Sequence, residues 1–195
     1  MLGRGQRADF PQHAGGQIRG TVRRRFTHFV DYVCRVMSGT MERAQIEKTN
    51  LAFVSDIVGF EAARSVAVFE NPESRMRGGR LARLNSEFMS ASTRFHALHQ
   101  LMNRLREAAS TATIEALEPF FPEVPPLLLK DGEPVRHAGD AGQAAAQLRD
   151  YKAALSKRVC ERRPSLETDA AFVALEFDTA CELLYRFVDD MLAYA

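Results

Sequence analysis

Apolar residues recur at helical spacing along most of this chain, and no segment shows the sustained alternation of a strand. Ile18, Val22, Phe26, Phe29, Val33 and Val36 predict a first helix from about Gln17 to Met37, broken at Ser38-Gly39-Thr40, with Thr40 a plausible N-cap for the second helix. Ile46, Leu51, Val54, Ile57, Val58, Ala62, Val66 and Phe69 predict that second helix over about Met41 to Phe69. Asn71-Pro72 stops it and opens a third, because proline loses nothing at a first helical position. The third helix, about Glu73 to Ala109, carries the clearest pattern. Leu81, Leu84, Phe88, Ala91, Phe95, Leu98, Met102 and Leu105 alternate in steps of three and four, a coiled-coil-like seam. Gly78-Gly79 weakens its start.

Beyond it the texture changes. A short helical turn around Thr113 to Leu117 leads into Pro119, Pro122, Pro125 and Pro126, then Leu127 to Leu129 and the turn signal Lys130-Asp131-Gly132. An irregular packed loop is expected over about 118–138. Ala144, Leu148, Tyr151, Leu155 and Val159 predict a helix over about Asp140 to Arg162, ended by Pro164. Leu166, Ala170, Val173, Phe177, Ala180, Leu184, Phe187 and Met191 predict a last helix, with no stop signal by Ala195. The fold class is all-α: an elongated antiparallel bundle of long coiled-coil-like helices with one Pro-rich loop. Gly3, Gly5, Pro11, Gly15 and Gly16 mark residues 1–16 as a disordered arm, leaving 17–195 as a single helical-bundle domain.

Composition narrows the class further. The 195 residues hold 26 Lys plus Arg against 25 Asp plus Glu, so the balance does not suggest a basic nucleic-acid binder. Locally the charges separate. Residues 1–30 carry six Arg against Asp9, 72–106 carry seven Arg against Glu73 and Glu87, and 164–195 carry seven acids against Arg186. Opposite-sign helices can pack with complementary surfaces, and a basic face also suits anionic lipid. No run without a charge exceeds nine residues, the length of Phe10 to Ile18, well short of the roughly 20 a bilayer span needs. Cys34, Cys160 and Cys181 lie far apart and form no CxxC, which fits a reducing compartment.

Candidate chemistry is sparse. His96 and His99 form an HxxH that could offer two metal ligands, but no third is identifiable, and seam-flanking histidines bonded to neighbouring helices are preferred. Glu61 and Arg64, an i,i+3 pair in an apolar stretch, read as a salt bridge that fixes register, with carboxylate binding by Arg64 as the functional alternative. Arg75, Arg77, Arg80 and Arg83 surround the glycine pair without phosphate-loop spacing and read as a solvated basic face. Arg23-Arg24-Arg25 reads as a solvated basic turn or a membrane-proximal cluster. No GxSxG and no Cys–His signature supports nucleophilic catalysis, so no enzyme activity, metal or cofactor is expected.

One stretch has more specific text. Arg64-Ser65-Val66-Ala67-Val68-Phe69-Glu70-Asn71-Pro72 is followed by Arg80-Leu81-Ala82-Arg83-Leu84-Asn85 and by Phe88-Met89-Ser90-Ala91-Ser92-Thr93-Arg94-Phe95-His96-Ala97-Leu98-His99. This text resembles the soluble helical region of the fusaric acid resistance (FUSC), or aromatic acid exporter, family, most strongly over 44–106, more weakly from 140 onward, and not over the first 16 residues. The resemblance implies a bacterial inner-membrane efflux protein for aromatic carboxylic acids, of which this chain would be the cytoplasmic helical part, soluble when separated. It further implies an assembly or gating role, no transport by the segment alone, and packing against the transmembrane part of the parent transporter. Homo-oligomers through the helical seam and contact with the membrane surface are also expected; nucleic acid is not. Within the motif, Glu61, Arg64, Glu70, Arg80, Asn85, Arg94, His96 and His99 are the polar positions of interest. A free-standing homodimeric helical interaction module is the alternative.

Overall fold

A computed structural model describes residues 11–70, 72–131, 133–134, 138–163 and 171–194; within its helices the side chains of 11–19, 66–70, 72–77, 138–141 and 171–173 lie outside the description. Helices dominate: α1 Pro11–Met37, α2 Arg43–Glu70, α3 Pro72–Glu107, α4 Thr111–Leu117, α5 Val124–Leu128, α6 Ala138–Arg162 and α7 Ala171–Tyr194. Between α5 and α6 lies a single two-stranded antiparallel ladder, β1 Leu129–Lys130 with β2 Glu133–Pro134, which pairs Leu129 with Pro134 and Lys130 with Glu133. The predicted turn signal lies between these strands; Asp131 takes φ 54°, and Gly132 lies outside the description. The all-α class holds, and α3, 36 residues long, spans about 54 Å at 1.5 Å per residue.

The helix ends obey local chemistry. α1 starts at Pro11, earlier than the expected Gln17, while residues 1–10 lie outside the description. It ends in a Schellman-type turn. Thr40 N–H donates to the Arg35 carbonyl at 3.0 Å and Gly39 N–H to that of Val36 at 3.1 Å, with Gly39 at φ 69°. Glycine takes this left-handed position without strain. Thr40 does not cap α2, contrary to expectation: its hydroxyl donates to the Arg35 carbonyl at 3.2 Å and so finishes α1. α3 ends in the same pattern, Ser110 N–H reaching the Leu105 carbonyl at 3.0 Å, but Ala109 takes the left-handed position at φ 51°. The glycine pair at 78–79 leaves α3 unbroken.

α3 is the central element and packs chiefly against α7 and α2. Its predicted seam is buried from Phe88 through Leu105, with Leu84 packed against the core at partial exposure. From α7, Phe177, Ala180, Leu184, Phe187 and Met191 meet it, as the spacing predicts. α6 buries Ala144, Leu148, Tyr151 and Leu155, and the Pro-rich loop adds Phe120, Val124 and Leu128. Tyr151 Oη donates to the Phe120 carbonyl at 2.9 Å, holding the loop against α6. The segregated charges meet as expected. Basic α3 and acidic α7 join through Arg94 and Asp190 at 2.5 Å, and Lys152 of α6 pairs with Asp189 of α7.

α2 departs from its reading. Ile46 is buried as predicted and Ile57 packs at the core edge, but Leu51, Val54, Val58 and Ala62 face outward. Phe53 is the other buried apolar residue among the described side chains of α2, and Phe60 is half-buried on the same side. A helix that is apolar on two faces gives no periodic signal to say which one the core takes. Here the aromatic face wins, because each ring removes more area from water than a valine. Val66 and Phe69 lie outside the described side chains.

Candidate functional site

The polar positions picked from the sequence do not converge on one site. Glu61 and Arg64 form a bidentate, part-buried pair within α2. His96 Nδ1 accepts from Asn50 Nδ2 at 2.8 Å and ties α3 to α2. His99 Nε2 accepts from Asn103 Nδ2 at 3.0 Å within α3, not from a neighbouring helix as expected. Burial lowers the His99 pKa first, helped by the charges of Arg106, His96 and Arg43. Arg94 binds Asp190, whose carboxyl is raised by burial with Arg94 opposing. Arg80 is exposed, and the Glu70 side chain lies outside the description. Among the described residues no three His, Cys, Asp or Glu side chains gather as a metal site.

Asn85 leads to the most elaborate polar cluster. It is 6% exposed, and its Oδ1 accepts from Arg25 Nη1 at 2.8 Å while its Nδ2 donates to the Ile57 carbonyl at 3.2 Å. Arg25, only 5% exposed, also donates from Nε to the Tyr194 hydroxyl at 3.1 Å and lies 3.6 Å from the Asp56 carboxylate. Its guanidinium stands 4.3 Å from the Phe88 ring centroid and 4.8 Å from that of Phe60, with Tyr194 at 5.8 Å. A buried cation is tolerated only when paired and hydrogen-bonded. This one has a carboxylate, two neutral oxygens and three ring faces, which together fasten α1 to α2, α3 and α7. Nη2 of Arg25 is buried without a hydrogen-bond partner, as is the Tyr32 hydroxyl. Burial pushes the Tyr194 phenol up, with Arg25 working against it, so the phenol stays protonated at neutral pH.

Arg25 is the residue that the sequence reading missed. Within Arg23-Arg24-Arg25 the first two are exposed, as a solvated turn requires, but the third is core. A signal was present: Arg25, Phe29 and Tyr32 succeed one another at steps of four and three, on the face α1 buries. Around this node runs an aromatic cluster, with Phe29 within 6.4 Å of the rings of Tyr32, Phe53, Phe88, Phe95 and Phe187.

This geometry holds helices together. The model of the fusaric acid resistance protein family matches residues 7–195. The chain belongs to that family. The match begins nearer the N-terminus than the motif text alone suggested. A curated relative, the fusaric acid resistance protein FusC of Burkholderia cepacia, is 58% identical over 186 residues, covering 95% of this chain and 54% of its own length. The chain thus spans about half the length of that relative. No solved structure matches it. No described helix is long and apolar enough to cross a membrane.

The cysteines give a direct check of this packing. All three are free, Cys160 exposed, Cys34 partly covered and Cys181 buried. Burial pushes the thiols of Cys34 and Cys181 up to about 12, with Asp31 and Asp178 adding to it. Only thiolate reacts, so at pH 8 these two are expected to be slower than an unperturbed thiol by roughly a thousandfold. Titration with a chromogenic disulfide reagent should release one fast equivalent in the native chain and three after denaturation.

Proposed function

We propose that this chain is the cytoplasmic helical domain of an inner-membrane efflux protein for aromatic carboxylic acids. Residues from 17 onward would act as one domain, with a role in assembly and gating rather than in transport by themselves. The observation that carries the reading is the family match over 7–195, together with the identity to a fusaric acid resistance protein about twice as long. Two structural features support it. The apolar faces of α3, α6 and α7 are covered within the chain, as in a helical bundle. Arg23 and Arg24 point outward from α1, where a basic face could meet anionic headgroups beside the transmembrane part. No enzymatic step is assigned to any residue.

The alternative is a free-standing dimer built on the α3 seam. Phe88, Ala91, Phe95, Leu98, Met102 and Leu105 are already covered within the chain, which favours the first reading.

Cys160 offers a test of the sidedness. In the full-length protein, with any other exposed cysteines replaced, a membrane-impermeant maleimide should leave Cys160 unlabelled in intact cells and label it after the inner membrane is permeabilised. Labelling in intact cells would overturn a cytoplasmic placement.

A further inference from the structure

The outward face of α2 is unusual for a surface helix. Leu51, Val54 and Val58 are 70%, 53% and 65% exposed, three of the five large apolar side chains left open among the described residues. Every fully exposed position from 51 to 63 is uncharged: Ala52, Ser55, Gly59, Ala62 and Ala63 fill the spaces between these three. A Cβ added at Gly59 would meet nothing within 4 Å, so nothing inside the chain requires its missing side chain. Surface helices ordinarily turn charged and polar residues outward, and a contiguous apolar face of this kind marks a contact.

Charge at its two ends selects the occupant. Lys48 stands exposed at the N-terminal end and Glu61 at the C-terminal end, its side chain 45% exposed and its carboxylate bonded to Arg64. The apolar residues lie between them. Such a patch is complementary to itself when reversed. Two α2 helices, antiparallel about a two-fold axis near Val54 and Ser55, bring Leu51 against Val58 and Lys48 against Glu61, once at each end. That is the isologous geometry of a symmetric dimer, in which a single residue pair is used twice. A lipid-seeking helix would instead rim its apolar face with Lys and Arg, and this rim carries both signs.

We propose that the exposed face of α2 is an interface between two copies of this chain, paired antiparallel through Leu51, Val54 and Val58 with Lys48–Glu61 contacts at both ends. The contact is one helix wide, a small patch beside the about 800 Å² per partner of a standard interface, and a weak, reversible association is expected. The α3 seam plays no part in it.

Sedimentation velocity on the 195-residue chain, across a roughly hundredfold range centred on micromolar concentrations, tests this. A reversible monomer–dimer equilibrium is expected. Val58→Arg should weaken it by about tenfold or more, as burial of an unpaired charge at the centre of a small interface does. Its circular dichroism should be unchanged, because Val58 touches little within the chain. Lys48→Glu sets like charges together at both ends and should also weaken the dimer, while Lys48→Glu with Glu61→Lys should restore it. A chain that stays monomeric throughout overturns the second copy as occupant and leaves the face to another segment of a longer protein. A dimer indifferent to Val58→Arg, or not restored by the charge exchange, overturns the face or its antiparallel register.

Discussion

Phe29→Ala is expected to cost about 5 kcal/mol, at the upper end for deleting a buried aromatic side chain. Phe29 is 0% exposed and sits at the centre of the aromatic cluster, with ring neighbours on α1, α2, α3 and α7. Its removal forfeits the transfer energy of the ring and leaves a cavity that four separate helices would have to move to fill. It also loses several edge-to-face contacts, each worth about 0.5–1.5 kcal/mol beyond area. A domain of this size holds a net stability of only about 5–15 kcal/mol, so the variant should be barely folded. Urea denaturation followed by circular dichroism at 222 nm, a wavelength that reports helix, measures the loss. Phe29→Leu keeps most of the volume and should cost less than half as much; equal losses for the two would mean that shape at this position matters less than the packing implies.

Arg25→Ala is expected to cost about 4 kcal/mol. Two hydrogen bonds from a charged donor contribute about 1.5–3 kcal/mol each, and a desolvated cation over aromatic faces adds about 2 kcal/mol or more. Against these stands the desolvation of the guanidinium, which its removal relieves. The decisive loss is what remains behind: Asn85 Oδ1 and the Tyr194 hydroxyl lose their donor in a buried place. Asp56, 41% exposed, turns to solvent and adds little. Tyr194→Phe removes one of these bonds and should cost about 1–1.5 kcal/mol. Arg25→Met combined with Asn85→Leu replaces the polar node by apolar volume and should recover much of the stability lost in Arg25→Ala. If the double variant is as unstable as Arg25→Ala, the loss lies in packing rather than in orphaned polar atoms.

The bundle was legible wherever burial is one-sided. In α3 and α7 one face is apolar and the other charged, so period alone named the core, from Phe88 to Leu105 and from Phe177 to Met191. α2 was misread for the opposite reason: valines on one face and phenylalanines on the other give two competing stripes, and only contact with α1 and α3 decides between them. The same ambiguity hid the outward patch that now reads as an interface. Polar positions were harder still. Asn85 and Arg94 stood out because they belong to the family text, but their partners, Arg25 at a separation of 60 residues and Asp190 at 96, are set by tertiary packing that no local pattern encodes. Arg25 sits in a run of three arginines, and only its helical phase, shared with Phe29 and Tyr32, sets it apart from the two exposed ones. The histidine pair resolved into two asparagine contacts of different kinds, one between helices and one within α3.

The reading of this chain as one working part of an efflux protein meets its most direct test in cells. Accumulation of a radiolabelled aromatic carboxylic acid would be measured in a strain lacking related exporters. That strain would carry the full-length gene, the same gene with Phe29→Ala, or the 195-residue chain alone. Low accumulation is predicted with the full-length gene, and high accumulation with the other two despite comparable membrane insertion of the Phe29→Ala protein. Low accumulation with the 195-residue chain alone, or no effect of the full-length gene, would contradict that reading.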